Sequence, residues 1–271
     1  MRIFRTISML AALACAGAVG ADAPQRVVTM NHCADQFALL LAAPGQVISV
    51  SHIAVDPLLS AMVEKAAAVP LNRGGAEEIY RLQPDLVLAS AWSNPLATEM
   101  LENLGVRVER VDGVNRLEDI PGQLRRVGEL LGREQVADDM ARGVEARLAS
   151  LSEPPPTHRP EAAFFHAGGY SLGKGTLAHD ILTRAGFDNL AERVGRTDGG
   201  YLPVEVLLMN RPDLLITAPA YAGASQAEAL MAHPAIAGIP QVESGAMWNC
   251  GLPFALDAVE GLIAAREQLG R

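Results

Sequence analysis

Apolar residues in this chain fall into short continuous runs separated by amphipathic stretches. The stretches 26–29, 47–50, 86–89, 106–111, 162–165 and 214–216 read as strands, and 86–89 and 214–216 are continuous apolar runs. That is the pattern of strands covered on both faces. Between them the spacing turns helical. Phe37, Leu40 and Leu41 share one face of a helix that Asn31 or Asp35 caps and Pro44-Gly45 ends. Residues 56–67 read as a helix with Pro57 in its first turn, and residues 95–104 as one closed by Gly105. Thr176 caps a helix carrying Leu177, Ile181 and Leu182; residues 227–231 and 256–269 are also helical. Strands alternating with helices predict an α/β fold with mostly parallel sheets.

The pattern repeats once at long range. EEIYRLQPDLVL (77–88) returns as EVLLMNRPDLLI (205–216), 128 residues later, with Glu seven residues before Pro-Asp-Leu in each copy. A period that long means two similar lobes, not a solenoid. Each copy reads as a short helix, a turn and a buried strand. Pro84 and Pro212 stop the helix, and the residue before each is expected to be extended.

Between the lobes, Ile120, Leu124, Val127, Leu130, Leu131, Val136, Met140, Val144, Leu148 and Leu151 keep helical spacing until Pro154-Pro155-Pro156. Residues 133–151 alone would span roughly 28 Å as a helix. The expected organisation is residues 24–115 as an N-terminal lobe, 116–153 as a single long connecting helix and 158–271 as a C-terminal lobe. The alternative is an amphipathic helix pair on one lobe.

Charge and composition narrow the setting. Arg2 and Arg5 precede an apolar run, 7–19, and small residues, so residues 1–21 read as a secretory signal cleaved after Gly20 or Ala21. Ala12-Leu13-Ala14-Cys15 has Ala where a lipobox usually has Leu, so a lipid anchor is not expected. The net charge of −9 becomes −11 once those two Arg are removed, which argues against a nucleic-acid partner. A periplasmic destination follows most simply. Cys33 and Cys250 are then the remaining cysteines, open to three readings: a disulfide, contacts to a ligand, or free thiols.

Two motifs look catalytic and fail on context. Gly169-Tyr170-Ser171-Leu172-Gly173 matches the nucleophile elbow, but Ser171 stands too far from both strand and helix. The run 168–175 approaches a phosphate loop, with Gly175 where a Mg²⁺-binding hydroxyl belongs.

Ligands of parallel sheets bind beyond the carboxyl ends of the strands. There the first lobe offers Asn31, His32, Cys33, His52 and Trp92; the second offers His166, Tyr170, Tyr221, Trp248 and Cys250. Both Trp of the chain are in this set. Each alone reads as a solvated or locally packed loop residue; together they suggest a cleft. Cations are few there, Arg73 and Lys174 being nearest, so flat aromatics with His and Cys suit a large, partly apolar metal chelate. A bare metal is the alternative, unsupported by tight ligand spacing.

The opening 26–28 and 31–36, Glu77 with Pro84-Asp85-Leu86, the long helical stretch, Gly175-Thr176-Leu177, the run 185–190, and Glu205 with Pro212-Asp213-Leu214 together resemble the periplasmic solute-binding proteins of ABC importers for iron chelates, haem and cobalamin. The resemblance covers nearly all of the mature chain. It implies two α/β lobes joined by a rigid helix, a ligand held between them, and a monomer without cofactor or catalysis. It also implies that Glu77 and Glu205, one per lobe, dock on basic pockets of the permease dimer. Asn31-His32-Cys33 departs from the plainer siderophore-binder pattern and favours a tetrapyrrole. The competing functions are a bare-metal transport protein or metallochaperone, and an exported enzyme such as a hydrolase using Ser171.

Overall fold

The computed structural model describes residues 23–151, 158–219, 227, 231 and 234–270. The signal segment, the triple proline, Tyr221 and most of the expected 227–231 helix lie outside them. The N-terminal lobe runs β1 (Val27–Thr29), α1 (His32–Leu41), β2 (Val47–Ser51), a 3₁₀ turn (His52–Val55), α2 (Val63–Ala66), β3 (Leu71–Asn72), α3 (Ala76–Arg81), β4 (Leu86–Ala89), α4 (Pro95–Asn103) and β5 (Val108–Arg110). Its sheet has the order β3-β2-β1-β4-β5, every pair parallel. After α5 (Ile120–Leu131) and α6 (Glu134–Ser150) comes the second lobe. It contains β6 (Glu161–Phe164), β7 (Tyr170–Leu172), α7 (Leu177–Arg184), β8 (Asp188–Asn189), α8 (Leu190–Arg193), β9 (Gly199–Tyr201), α9 (Val204–Asn210), β10 (Leu214–Thr217), β11 (Gln241–Glu243) and α10 (Ala255–Leu269). Here β11-β10-β6-β8 form a parallel sheet, and β7 and β9 an antiparallel ribbon.

Strand alternation sorts the core. Val27, Leu86 and Leu88 join Phe164, Leu214 and Ile216 in one continuous cluster that also holds the buried faces of α1, α5, α6, α7 and α10. Their neighbours Val28 and Val87 face the other way, toward Ile79 on α3 and Leu101 on α4. Ala163, Phe165 and Leu215 pack likewise with Leu190 and Leu207. A strand points successive side chains to opposite faces, so this double coverage is why the runs are apolar throughout. One core shared by both lobes makes them one packed body.

Three expectations change. The connecting stretch is a helical hairpin, not a single rod. Gly132, at φ 65°, ends α5, and α6 folds back beside it. The reason is a close approach: a Cβ on Gly128 would lie 2.2 Å from Ala137 Cβ. Arg125 adds ion pairs to Asp138 at 2.8 Å and Glu145 at 2.7 Å across the pair. Residues 56–67 form only the four-residue α2, because side chains compete for the backbone. Asp56 Oδ1 accepts from Leu58 N at 2.9 Å, and Ser60 Oγ accepts from Met62 N at 3.1 Å. Finally, Gln83 and Arg211, which precede the repeat prolines, are left-handed (φ 48° and 46°), not extended. The left-handed turn closes each helix: Gln83 N reaches Tyr80 O at 3.0 Å and Arg211 N reaches Leu207 O at 2.9 Å.

The repeat also has a structural job that the sequence did not announce. Asp85 accepts from Gln25 N at 2.7 Å and Arg26 N at 3.0 Å, while its own N donates to Arg26 O at 3.1 Å. Asp213 does the same at the start of β6, accepting from Glu161 N at 2.8 Å and donating to Glu161 O at 2.8 Å. Each Pro-Asp-Leu therefore clamps the entry of the neighbouring parallel strand and sets its register.

Candidate functional site

The end of β1 sets the first group of residues. Asn31 is the N-cap of α1, its Oδ1 accepting from Cys33 N at 2.9 Å, so Asp35 is free for another role. Asp35 is fully buried and binds the ends of two strands. It accepts from Thr29 Oγ1, from Ser51 N at 2.9 Å and from Ser51 Oγ at 2.5 Å. Burial pushes its carboxyl from an ordinary 3.8 up to about 6, against the opposing pull of these donors and of His52. Asn72 extends the network, donating to Thr29 O at 3.0 Å and Ser49 Oγ at 2.9 Å. This polar floor holds the loops that carry His32, Cys33 and His52.

His32 is half-buried, and burial lowers its imidazole pKa. His52 opens the 3₁₀ turn after β2 and is exposed. Trp92 is 88% exposed. A turn after β4 presents it: Trp92 N donates to Ser90 Oγ at 3.1 Å, and Ala91 N to Asp112 Oδ1 at 2.8 Å.

In the second lobe His166 follows β6. Burial lowers its pKa, and its Nε2 is buried with no hydrogen-bond partner among the described residues. A neutral imidazole ligates a metal through whichever ring nitrogen carries no proton. Tyr170, half exposed, pairs across the ribbon with Tyr201, also exposed. Tyr201 escaped the sequence reading because it follows two glycines with no strand pattern around it. Its ring lies over Gly169, where a Cβ would be 3.0 Å from Tyr201 Cε2.

Trp248 differs from its expected role. It is only 9% exposed and meets Phe164 edge-on at 5.9 Å, while Phe164 meets His166 at 6.1 Å. It buttresses the His166 segment and offers no open ring face. Ser171 is 2% exposed, lies in β7, and its Oγ has no partner among the described residues. Among the described residues no base reaches it, so the geometry of an activated serine is not formed there.

Cys33 and Cys250 form a disulfide, with Cα atoms 5.2 Å apart. This bond ties the first turn of α1, just after β1, to the segment after β11, so the carboxyl ends of the two sheets meet. The contact is close elsewhere too. Val114 N donates to Cys250 O at 3.1 Å, and Asn249 Nδ2 to Leu59 O at 3.2 Å. His32 and the disulfide are thereby brought together, whereas Trp92 stands free on its own turn. Depressions of about 540 and 740 Å³ lie at the Pro84-Asp85 and Pro212-Asp213 turns, at the amino ends of the strands and away from these groups.

Glu77 and Glu205 are each the second residue of a helix, α3 and α9, and both are exposed. Glu77 pairs with Arg81 at 2.5 Å. Glu78, also exposed, accepts from Arg73 N at 2.9 Å.

Comparison with known proteins agrees with this architecture. The periplasmic haem-binding protein RhuT of Roseiflexus sp. RS-1, in apo form, superposes with a TM-score of 0.77 at 22% identity, covering 91% of this chain and 99% of that one. The periplasmic haem-binding protein HutB of Vibrio cholerae gives 0.74 at 19%, covering 89% and 98%. The periplasmic vitamin B12 binding protein BtuF of Vibrio cholerae gives 0.69 at 19%, covering 92% and 98%. A Bacillus subtilis (strain 168) protein, the uncharacterized ABC transporter substrate-binding lipoprotein YvrC, is 22% identical over 204 residues, which span 72% of this chain and 63% of that lipoprotein. The family model for periplasmic binding protein matches residues 27–250. With most of its length matched and two parallel-sheet lobes meeting at their strand ends, this chain belongs to the periplasmic binding protein family.

Proposed function

We propose that this protein is the periplasmic substrate-binding component of an ABC importer, carrying a metal chelate such as haem, cobalamin or a ferric siderophore. The observation that carries this reading is the meeting of the two sheets' carboxyl ends across Cys33–Cys250, with His32 beside the bond. Chelate between the lobes would meet the open Trp92 ring and the Tyr170–Tyr201 pair, with His166 as an axial ligand once its ring turns the buried, unpartnered Nε2 toward the cleft. Asn31, Cys33, Cys250 and Trp248 act as cap, staple and buttress of that wall, and His52 stands at its rim. Tyr221 follows β10 in the sequence and completes the candidate set, although it lies outside the described residues. The similar solved structures of haem-binding and vitamin B12 binding proteins support a tetrapyrrole. The protein acts by binding and delivery, without catalysis, as a soluble chain released from its signal segment.

Glu77 and Glu205 dock the loaded protein on the permease dimer. Charges at an interface rim mainly set encounter rate and orientation, and the Glu77–Arg81 pair is exposed enough to open at little cost. Glu77→Ala with Glu205→Ala should leave chelate affinity unchanged and lower uptake by cells at least tenfold, more than either change alone. Loss of chelate binding by the folded double variant, or unimpaired uptake, would overturn the docking assignment.

A further inference from the structure

The disulfide has a third chemical group beside it. His32 Nε2 lies 3.6 Å from Cys33 Sγ, and the ligating atoms of His32, Cys33 and Cys250 all lie within 4.8 Å of one another. As a disulfide, the two sulfurs offer no thiolate. Reduced, they and the imidazole are a ligand set suited to a d¹⁰ cation, which binds thiolate at about 2.3 Å and imidazole at about 2.0 Å.

The surroundings allow it. A tetrahedral dithiolate site sets its sulfurs about 3.8 Å apart, so the Cα atoms, now at 5.2 Å, need only a small separation. Gly113 packs directly against the bond, where a Cβ would sit 2.9 Å from Cys250 Cα and 3.3 Å from Cys33 Sγ, so the sulfurs separate on the His32 side. Gln36 Nε2 donates to Cys250 Sγ at 3.5 Å, a hydrogen bond that would steady a thiolate. His32 and Cys33 are half-buried, so the group is reachable from solvent.

We infer that reduction of Cys33–Cys250 converts this corner into a Cys₂His site for a thiophilic cation, Zn²⁺ or Cu⁺, with a fourth position for solvent. A dithiol reductant supplies two electrons and two protons and leaves as its own disulfide. The two thiols formed release their protons as the cation binds both sulfurs and the His32 Nε2 lone pair. The metal then holds together the loops that the sulfur–sulfur bond held before. This site does not rest on the chelate-binding reading, because it forms in the reduced chain without chelate.

The test uses the full mature chain, reduced anaerobically, freed of reductant and titrated with Cd²⁺ and with Zn²⁺ against a competing chromophoric chelator. The expected result is one ion per chain with an ultraviolet thiolate-to-cadmium band, absent from the oxidised chain. His32→Ala should weaken uptake roughly 10–100-fold while keeping the band. Cys33→Ser should abolish the site; if that variant fails to fold, alkylation of the folded reduced chain takes its place. Equal uptake by oxidised and reduced chains, uptake that survives loss of the thiols, no uptake, or loss of fold on reduction would each overturn the inference.

Discussion

At the scale of single residues, burial decides which aromatic can meet a ligand. Trp92 stands in solvent and Trp248 in the core, although both follow strand ends in the sequence. Trp92→Ala should weaken chelate binding roughly tenfold and leave thermal stability unchanged. Trp248→Ala should destabilise the protein by about 3–5 kcal/mol, the usual loss for a large buried aromatic, which denaturant unfolding would measure. Asp35 makes a pH prediction. Its folded pKa of about 6 exceeds its ordinary 3.8, so the folded state holds the proton more tightly than the unfolded state. Its contribution is fully present below about pH 4 and is lost as pH rises through 6. Relative to Asp35→Asn, the wild type should lose up to about 3 kcal/mol of stability between pH 4 and 7. A constant difference across that range would contradict the protonated, buried Asp35. For His166 the direction is opposite: burial lowers the imidazole pKa, so if it takes the proposed axial role, that binding should be lost only once the pH falls below the usual imidazole range.

At the scale of elements, the repeat and the helical hairpin carry the argument. Asp85 and Asp213 each hold the entry of a parallel strand. Asp85→Ala or Asp213→Ala should cost roughly 1–2 kcal/mol, read as a shift in urea midpoint, while Glu77 and Glu205 variants should shift it little. Gly128→Ala forces a Cβ against Ala137 and should destabilise by about 1–3 kcal/mol. Strands β1, β2, β4, β5, β6 and β10, the closing helix, the Thr176 cap and Asn31 as one of two cap candidates were legible in the sequence, because apolar runs and side-chain caps are local signals. The short β3, β8 and β9, and β7 inside a glycine-rich stretch that reads as a loop, were not. The break at Gly132 was not, since α5 and α6 share the same helical periodicity and only the Gly128–Ala137 contact shows that they fold together. Residues 56–67 misled for a related reason: helical spacing was present, but the turns made by Asp56 and Ser60 are tertiary choices.

At the scale of the whole molecule, a single core joins both lobes through α5, α6 and α10, and the disulfide joins their loops. That arrangement fits capture with modest lobe movement rather than wide closure. The pairing of Cys33 with Cys250, 217 residues apart, could be posed from sequence but not decided, because it depends on how the lobes meet. The most direct measurement of the central claim is equilibrium titration of the oxidised mature chain with haem, cyanocobalamin and a ferric hydroxamate, read by tryptophan fluorescence and visible absorbance. The account predicts saturable binding of one of these classes, quenching that is reduced but not abolished in Trp92→Phe, and for an iron tetrapyrrole an absorbance shift that His166→Ala removes. Absence of binding across all three, or binding with full affinity and unchanged spectra when both Trp92 and His166 are replaced, would contradict it.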